Sequence, residues 1–414
     1  MKKPFAMNRL LQGDVGSGKT IVAFLSALRA IDHGYQVSLM APTEILAEQH
    51  WKKLSKIASQ LDVRVELLVG KTKKADKEII VNRLLAGEID LLIGTHALIT
   101  QNVQFKKLGL VIVDEQHRFG VRQKESIRDK GAQPDVLIMS ATPIPRTLAL
   151  TIFGDLDVSI VDELPQGRKP IQTSIRSEKH RTQVYDAIRD TVSKGQQVYI
   201  VYPLVESSAY LEAKDAKSMA ELFAQQIFPD LTLGLIHGQL KADEKDQVMK
   251  QFLEGDIQIL VSTTVIEVGI DVPNATMMVI EHPDRFGLSQ LHQLRGRVGR
   301  SDLASSCILL LPPKISQQAK SRLRHFEQIH DGFALAEEDL KLRGPGDFFG
   351  VAQSGMPHFS AAQFPRDMDL MEKARRESAR ILDMDPKLDD PGHRHLLWVI
   401  ENIWKERLKL AQVG

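Results

Sequence analysis

The sequence predicts an α/β protein: two tandem doubly wound, mostly parallel sheets, then a helical hairpin and a helical tail. Three observations carry that prediction. Short apolar runs alternate with helical patterns over residues 8–160, the alternation restarts over residues 196–311, and it stops at Pro312-Pro313. Strands separated by helices of this length form parallel sheets covered on both faces. A chain of 414 residues also exceeds one ordinary core, at about 150 residues per domain.

In chain order, the strands expected in the first half are Leu10-Leu11, Val37–Ala41, Val63–Val69, Asp90–Gly94, Leu108–Val113 and Val136–Ser140. After Lys19, the residues Ile21, Leu25 and Leu28 fall on one helical face. The segment Glu163–Pro170 holds two prolines and a glycine without periodicity and reads as a linker. Beyond it, strands are expected at Val198–Val201, Leu233–Ile236, Ile257–Val261, Met277–Ile280 and Cys307–Leu311, with a helix over 241–253 that buries Val248, Met249 and Phe252. Residues 314–342 read as two helices broken near Asp331-Gly332, followed by a glycine-rich stretch, Arg343–Gly350. Helical patterns over Asp367–Leu382 and His393–Leu410 form a capping or docking tail. The expected units are therefore 1–163, 164–312, 313–360 and 361–414.

Composition narrows the function. Lys+Arg (54) and Asp+Glu (53) nearly cancel, which excludes a globally basic nucleic-acid binder but leaves room for a local basic track. One cysteine, Cys307, excludes a disulfide framework and any cysteine-rich metal centre. The absence of an apolar run near 18 residues, and of a signal peptide after Met1-Lys2-Lys3, points to a cytoplasmic protein with no membrane partner. Aromatics make up 6% with no interleaved basic–aromatic run, so phosphate contacts are expected over base stacking.

The stretch Gly13-Asp14-Val15-Gly16-Ser17-Gly18-Lys19-Thr20 fits G-x-x-x-x-G-K-[ST] between an apolar run and an amphipathic helix. Glycines there let successive N–H groups turn towards phosphate oxygens at a helix N-terminus. Lys19 would neutralise β- and γ-phosphates, and the Thr20 hydroxyl would ligate Mg²⁺ of a bound ATP. The apolar run 110–113 ends in Asp114-Glu115-Gln116-His117. Such a pair at a strand end is by itself often a solvated turn. With the phosphate loop, Asp114 suits the metal and Glu115 suits the attacking water. His117 would relay towards Ser140-Ala141-Thr142 or merely cap a turn. In the second half, Gln293–Arg300 carries Arg295, Arg297 and Arg300 after a helix. Alone this could be a solvated basic helix end, but planar bidentate guanidiniums also suit phosphate supplied across a cleft.

These motifs, with Ala41-Pro42-Thr43-Glu44, Gly94-Thr95-His96 and Val261–Ala275, stand in the order of superfamily 2 helicases. The stretches Met7–Thr20, Asp114–Gln123, Ser140–Thr147 and Phe286–Arg300 resemble the RecG family of bacterial ATP-dependent DNA helicases, from residue 7 to about 360. The resemblance implies RecA-like domains, DNA-stimulated ATP hydrolysis with Mg²⁺, and remodelling of stalled forks and other branched or duplex DNA. It also implies a monomer, with a single-stranded-DNA-binding protein as protein partner. Gln293, Arg297 and Arg300 would sense the γ-phosphate, and Ser140 and Thr142 would couple the two states. Gly269 and Asp271 would lie near the cleft, and Thr95, His96, Thr263 and Thr264 along the DNA. Arg322, Arg343 and Gln353 would act in the hairpin and loop, 314–355, that drives translocation.

Members of that family also carry an N-terminal OB-fold wedge and a glutamine-bearing segment that reads adenine. This sequence starts at Met1-Lys2-Lys3-Pro4-Phe5, inside the lead-in to the first strand, so the expectation is a motor portion alone. Two other readings are the motor of a transcription-repair coupling factor, which shares several of these stretches, and a catalytically impaired nucleotide-binding truncation.

Overall fold

The computed structural model of the chain describes residues 6–115, 130–131, 133–141, 156–163, 169–203, 217–263, 270–348 and 367–404. They build two parallel sheets. The first contains β1 (Asn8–Gly13), β2 (Gln36–Met40), β3 (Val65–Leu68), β4 (Leu91–Gly94), β5 (Leu108–Asp114), β6 (Asp135–Ser140) and β7 (Asp157–Val161), in the order β3-β4-β2-β5-β6-β1-β7. The second contains β8 (Gln172–Ser177), β9 (Gln197–Val201), β10 (Leu233–Ile236), β11 (Ile259–Ser262), β12 (Ala275–Glu281) and β13 (Ser306–Leu311), in the order β10-β11-β9-β12-β13-β8.

Strands β2, β4, β9, β11 and β12 are buried along their whole length, as a sheet covered on both faces requires. Helices α1 (Lys19–Ile31), α2 (Glu44–Ala58) and α3 (Lys74–Ala86) cover the first sheet; α4 (Arg181–Ser193), α5 (Ala242–Glu254) and α6 (Leu288–Arg295) cover the second. Local chemistry fixes their starts. The Thr43 hydroxyl accepts from Leu46 N at 3.4 Å ahead of α2, and Glu244 accepts from Lys241 N at 2.8 Å ahead of α5. Helix α5 buries Met249 and Phe252 and half-buries Val248. The edge strands β7 and β8 have no counterpart in the predicted set. Both are half-exposed; β7 interrupts its apolar residues with Asp157 and Ser159 and β8 is mostly polar, so neither shows the continuous apolar run of a central strand.

Helix α1 corrects a predicted face. Ala23, Phe24, Ala27 and Ala30 are buried, whereas Ile21 and Leu25 are 48% and 59% exposed. Alanines let the helix lie close against the sheet, and phase follows that contact rather than the largest side chains. Leu28 does pack against the core.

Helices α7 (Gln317–Gln328) and α8 (Gly332–Phe348) form the hairpin, and Leu323, Phe326 and Leu335 join the core of the second sheet. The break at Asp331-Gly332 is where the sequence puts it. The glycine-rich stretch is not a loop throughout: helical backbone continues across Arg343-Gly344-Pro345-Gly346 to Phe348. Helices α9 (Met368–Met384) and α10 (Arg394–Val399) make the tail, and Arg375 Nη2 donates to Leu156 O at 3.0 Å, tying it to the first lobe. Of the expected linker, residues 164–168 lie outside the described residues. No helix among the described residues is long and apolar enough to cross a membrane.

Candidate functional site

Strand order brings distant motifs together. β5, β6 and β1 are neighbours, so Asp114, Ser140 and the loop after Gly13 sit side by side at the carboxyl edge, where open α/β sheets bind ligands. Gly16 and Gly18 have φ of 75° and 90°, the left-handed region that glycine alone enters at little cost. Gly18 then caps α1, leaving its first N–H groups at the site. Ser17 Oγ is buried with no hydrogen-bond partner, an orphan that a polar ligand would satisfy. Lys19 Nζ donates to Gly13 O at 2.9 Å and Asp14 O at 2.7 Å. Burial pulls its pKa down, against the pull of Glu115, Asp114 and Asp14.

Asp114 Oδ2 accepts from His50 Nε2 at 2.8 Å, and both side chains are largely buried. Glu115 has φ 53°, a strained setting for a non-glycine residue that clusters at functional sites. Its N–H donates to Met139 O at 3.1 Å, pinning the turn to β6.

The second lobe approaches through α6 and the turn after it. A Cβ on Gly296 would lie 2.8 Å from Val15 Cβ, so only glycine lets that turn meet the phosphate loop this closely. Arg300 donates to Gly296 O at 3.1 Å and forms an ion pair with Asp271. Asp271 in turn binds the first lobe: it pairs with Lys53, its N–H donates to Gln49 Oε1 at 3.1 Å, and its carbonyl accepts from Gln49 Nε2 at 3.2 Å. Arg300 is close enough to help lower the pKa of both Lys19 and Lys53, after burial, which is the larger cause.

Between the lobes lies a cavity of about 490 Å³. It is bounded by the phosphate loop from Val15 to Thr20, by Asp114 and Glu115, and by Gln293, Arg297 and Arg300 from the far side. Gly13 and Asp14 lead into that loop. Ile21, Leu46, Leu54 and Ile57 add an apolar wall beside the glycine-rich loop. Thr20 and Asp114, a hydroxyl and a carboxylate, are the oxygen donors that a magnesium ion takes.

Other predicted residues fall elsewhere. Thr95 and His96 follow β4 and do not line this cavity. Thr263 follows β11, its hydroxyl buried without a partner. Arg322 Nη2 donates to Asp284 O at 2.7 Å, binding α7 to the second lobe. His117, Thr142, Thr264, Gly269 and Gln353 lie outside the described residues, as does the side chain of Arg343.

Sequence reasoning passed over His50, Gln49, Lys53, His237 and His292. His237 follows β10 as Thr263 follows β11, and it has both ring nitrogens buried and unpartnered. Burial, then Lys217 and Lys245, hold its pKa below the usual value. A lone histidine, glutamine or lysine carries no motif, and the partners of His50, Gln49, Lys53 and His292 arrive from the other lobe or from a distant strand.

Comparison with known proteins gives consistent matches. The model of DEAD/DEAH box helicases matches residues 4–151, that of the helicase conserved C-terminal domain residues 179–302, and that of ATP-dependent DNA helicase RecG, domain 3, C-terminal, residues 329–413. ATP-dependent DNA helicase RecG of Synechocystis is 52% identical over 94% of this chain and 47% of its own length. The Bacillus subtilis protein of the same name is 51% identical over 95% of this chain and 58% of its own. A solved structure described as RecG bound to three-way DNA junction superposes with TM-score 0.76 at 50% identity, covering 89% of this chain and 48% of that one. The chain thus spans about half the length of the curated relatives it matches.

Proposed function

Because the chain belongs to the RecG family of ATP-dependent DNA helicases, we propose that it is a DNA-stimulated ATPase whose two lobes close on ATP to drive translocation along duplex DNA and remodel branched DNA such as stalled forks and Holliday junctions. The match to a RecG-specific C-terminal domain favours this over a transcription-repair coupling motor. One observation carries the reading: the phosphate loop and Arg297 and Arg300 of the other lobe line one cavity.

The chemistry follows from the residues around that cavity. Lys19 and the loop N–H groups from Gly13 to Thr20 hold the phosphates. A magnesium ion held by Thr20 and Asp114 would supply charge neutralisation at the phosphate oxygens. His50 keeps the Asp114 carboxylate oriented. Glu115 takes the proton of the attacking water as its oxygen joins the γ-phosphorus and the bond to the bridging oxygen breaks, leaving ADP and phosphate. Arg297 and Arg300 stabilise the charge that spreads over the transferring group, Gln293 contacts it, and Asp271 aims Arg300. Ile21, Leu54 and Ile57 give the base an apolar wall.

Ser140, Thr142, His117, Gly269 and Asp271 couple the lobes. Thr95, His96, Thr263 and Thr264 line the DNA. The unpartnered atoms of Thr263 and His237, near Lys217 and Lys245, support a phosphate contact there, since burying a polar group unmade costs about 1–3 kcal/mol. Residues 1–163 and 164–312 are the two motor lobes, 313–360, with Arg322, Arg343 and Gln353, the lever, and 361–414 a docked tail. The setting is cytoplasmic, the working unit is a monomer, and the protein partner is a single-stranded-DNA-binding protein.

Steady-state phosphate release with and without three-way-junction DNA tests this. A rate raised several-fold by the junction is expected; the same rate in both, or none in either, would contradict it.

A further inference from the structure

We infer that Asp14 and His292 are positioning residues of a relay that carries the state of the phosphate loop directly to the turn of the α7–α8 hairpin. The inference rests on the hydrolytic reading above and adds to it a path that bypasses the arginines at the cavity. Asp14 is bound on three sides. Its carbonyl accepts from Lys19 Nζ at 2.7 Å. Its Oδ1 accepts from Val15 N at 2.6 Å and from His292 Nε2 at 2.5 Å, across the lobes. Its Oδ2 accepts from Gly332 N, the first residue of α8, at 3.3 Å.

The proton on His292 is fixed by what lies behind it. Arg295 can only donate, so its Nη2, 2.9 Å from His292 Nδ1, makes that nitrogen the acceptor and Nε2 the N–H that points at Asp14. Arg295 also donates to the carbonyls of Phe326 at 3.1 Å, Ile329 at 3.0 Å and His330 at 3.2 Å, and its guanidinium lies 4.4 Å from the Phe326 ring centroid. Those carbonyls close α7 and lead into α8. Hydrogen bonds therefore run unbroken from the phosphate loop to the hairpin turn, and Asp14 touches both ends.

Three physical points make this a relay rather than a rivet. The pair is shielded, with side chains 5% and 14% exposed for His292 and Asp14, so salt screens it little. A cavity of about 150 Å³ bounded by Asp14, His292, Arg295 and His330 leaves the turn room to move. Lys19, which holds the Asp14 carbonyl, is the group that phosphate would draw away, and that frees the residue whose carboxylate grips His292 and Gly332. An aspartate suits the post because its two oxygens only accept and can serve three N–H donors at once.

Hydrogen exchange read by mass spectrometry tests this in the full chain, without DNA. Wild type, His292→Ala and His292→Gln are compared with and without a nonhydrolysable ATP analogue and magnesium. In wild type the analogue should change exchange of the segment 329–335 by roughly threefold or more, along with that of 13–20. His292→Ala should abolish the response at 329–335 while keeping it at 13–20. His292→Gln, whose amide can donate to Asp14 and accept from Arg295, should restore it. Stimulation of hydrolysis by DNA should follow the same pattern, falling roughly tenfold in His292→Ala.

An undiminished response at 329–335 in His292→Ala overturns the relay. So does a wild-type response confined to 13–20. A loss that glutamine fails to restore, with a lowered melting midpoint in both variants, makes His292 a structural residue and also overturns it. Silence at 13–20 in wild type removes the nucleotide site itself, and with it both readings.

Discussion

Lys19 lies where burial and charge oppose each other, and burial prevails: its pKa is depressed although three carboxylates surround it. In the proposed function this lysine meets the phosphates. Lys19→Ala should therefore abolish nucleotide binding by titration calorimetry, and binding near wild type would mean the phosphates are held elsewhere. Arg300→Ala differs in kind, because its guanidinium reaches the site from the other lobe. It should spare binding and cut turnover by about 10³-fold, the scale of other arginine fingers; near-normal turnover would remove the closing cleft from the mechanism. Gly296→Ala tests the approach itself. Its methyl would meet Val15 at 2.8 Å, so the lobes must part slightly and turnover should fall with little change in melting midpoint. At this scale the G-x-x-x-x-G-K-T loop, the Asp-Glu pair and the arginines, which line one cavity, stood out as contiguous motifs. His50 and His292 did not, because each meets a partner that only the fold supplies, and His237 did not, because only the fold buries its ring.

Elements were legible in proportion to their burial. Central strands such as β2 and β12 are buried throughout and read as continuous apolar runs. Edge strands β7 and β8 face water on one side and gave no such run. Helix α1 was found but turned, since alanines rather than Ile21 and Leu25 meet the sheet. The hairpin depends on Phe326, fully buried beneath Arg295. Phe326→Ala should cost about 3–5 kcal/mol in chemical denaturation, and a loss under 1 kcal/mol would mean that α7 is not anchored there. The α2–α5 interface carries a pH signature. Burial, then Glu44, with Asp243 and Glu48 adding, pushes the Asp246 carboxyl up to about 6 from its ordinary 3.8, although Lys71 opposes this. The folded chain then keeps a proton that the unfolded chain releases between those values. Stability from this group falls as pH rises through that window and is level above it. Asp246→Asn should flatten that slope in melts from pH 4 to 6, and an unchanged slope would assign it to other carboxylates.

Across the whole molecule, the sequence pattern revealed two sheets and a helical end, but not how the lobes meet. That meeting is made by pairs no periodicity encodes: Asp14 with His292, Gln49 with Asp271, and Val15 against Gly296. The tail also returns to the first lobe through Arg375 and Leu156, a contact between residues with no shared motif. Together these contacts set residues of both lobes around one cavity, which is what the proposed motor requires if hydrolysis is to change its shape. A structure of the chain with magnesium, ADP·beryllium fluoride and duplex DNA tests that claim most directly. The guanidiniums of Arg297 and Arg300 should lie at about 3 Å from the fluoride that mimics the γ-phosphate; finding both turned to solvent, with the analogue held by the first lobe alone, would contradict it.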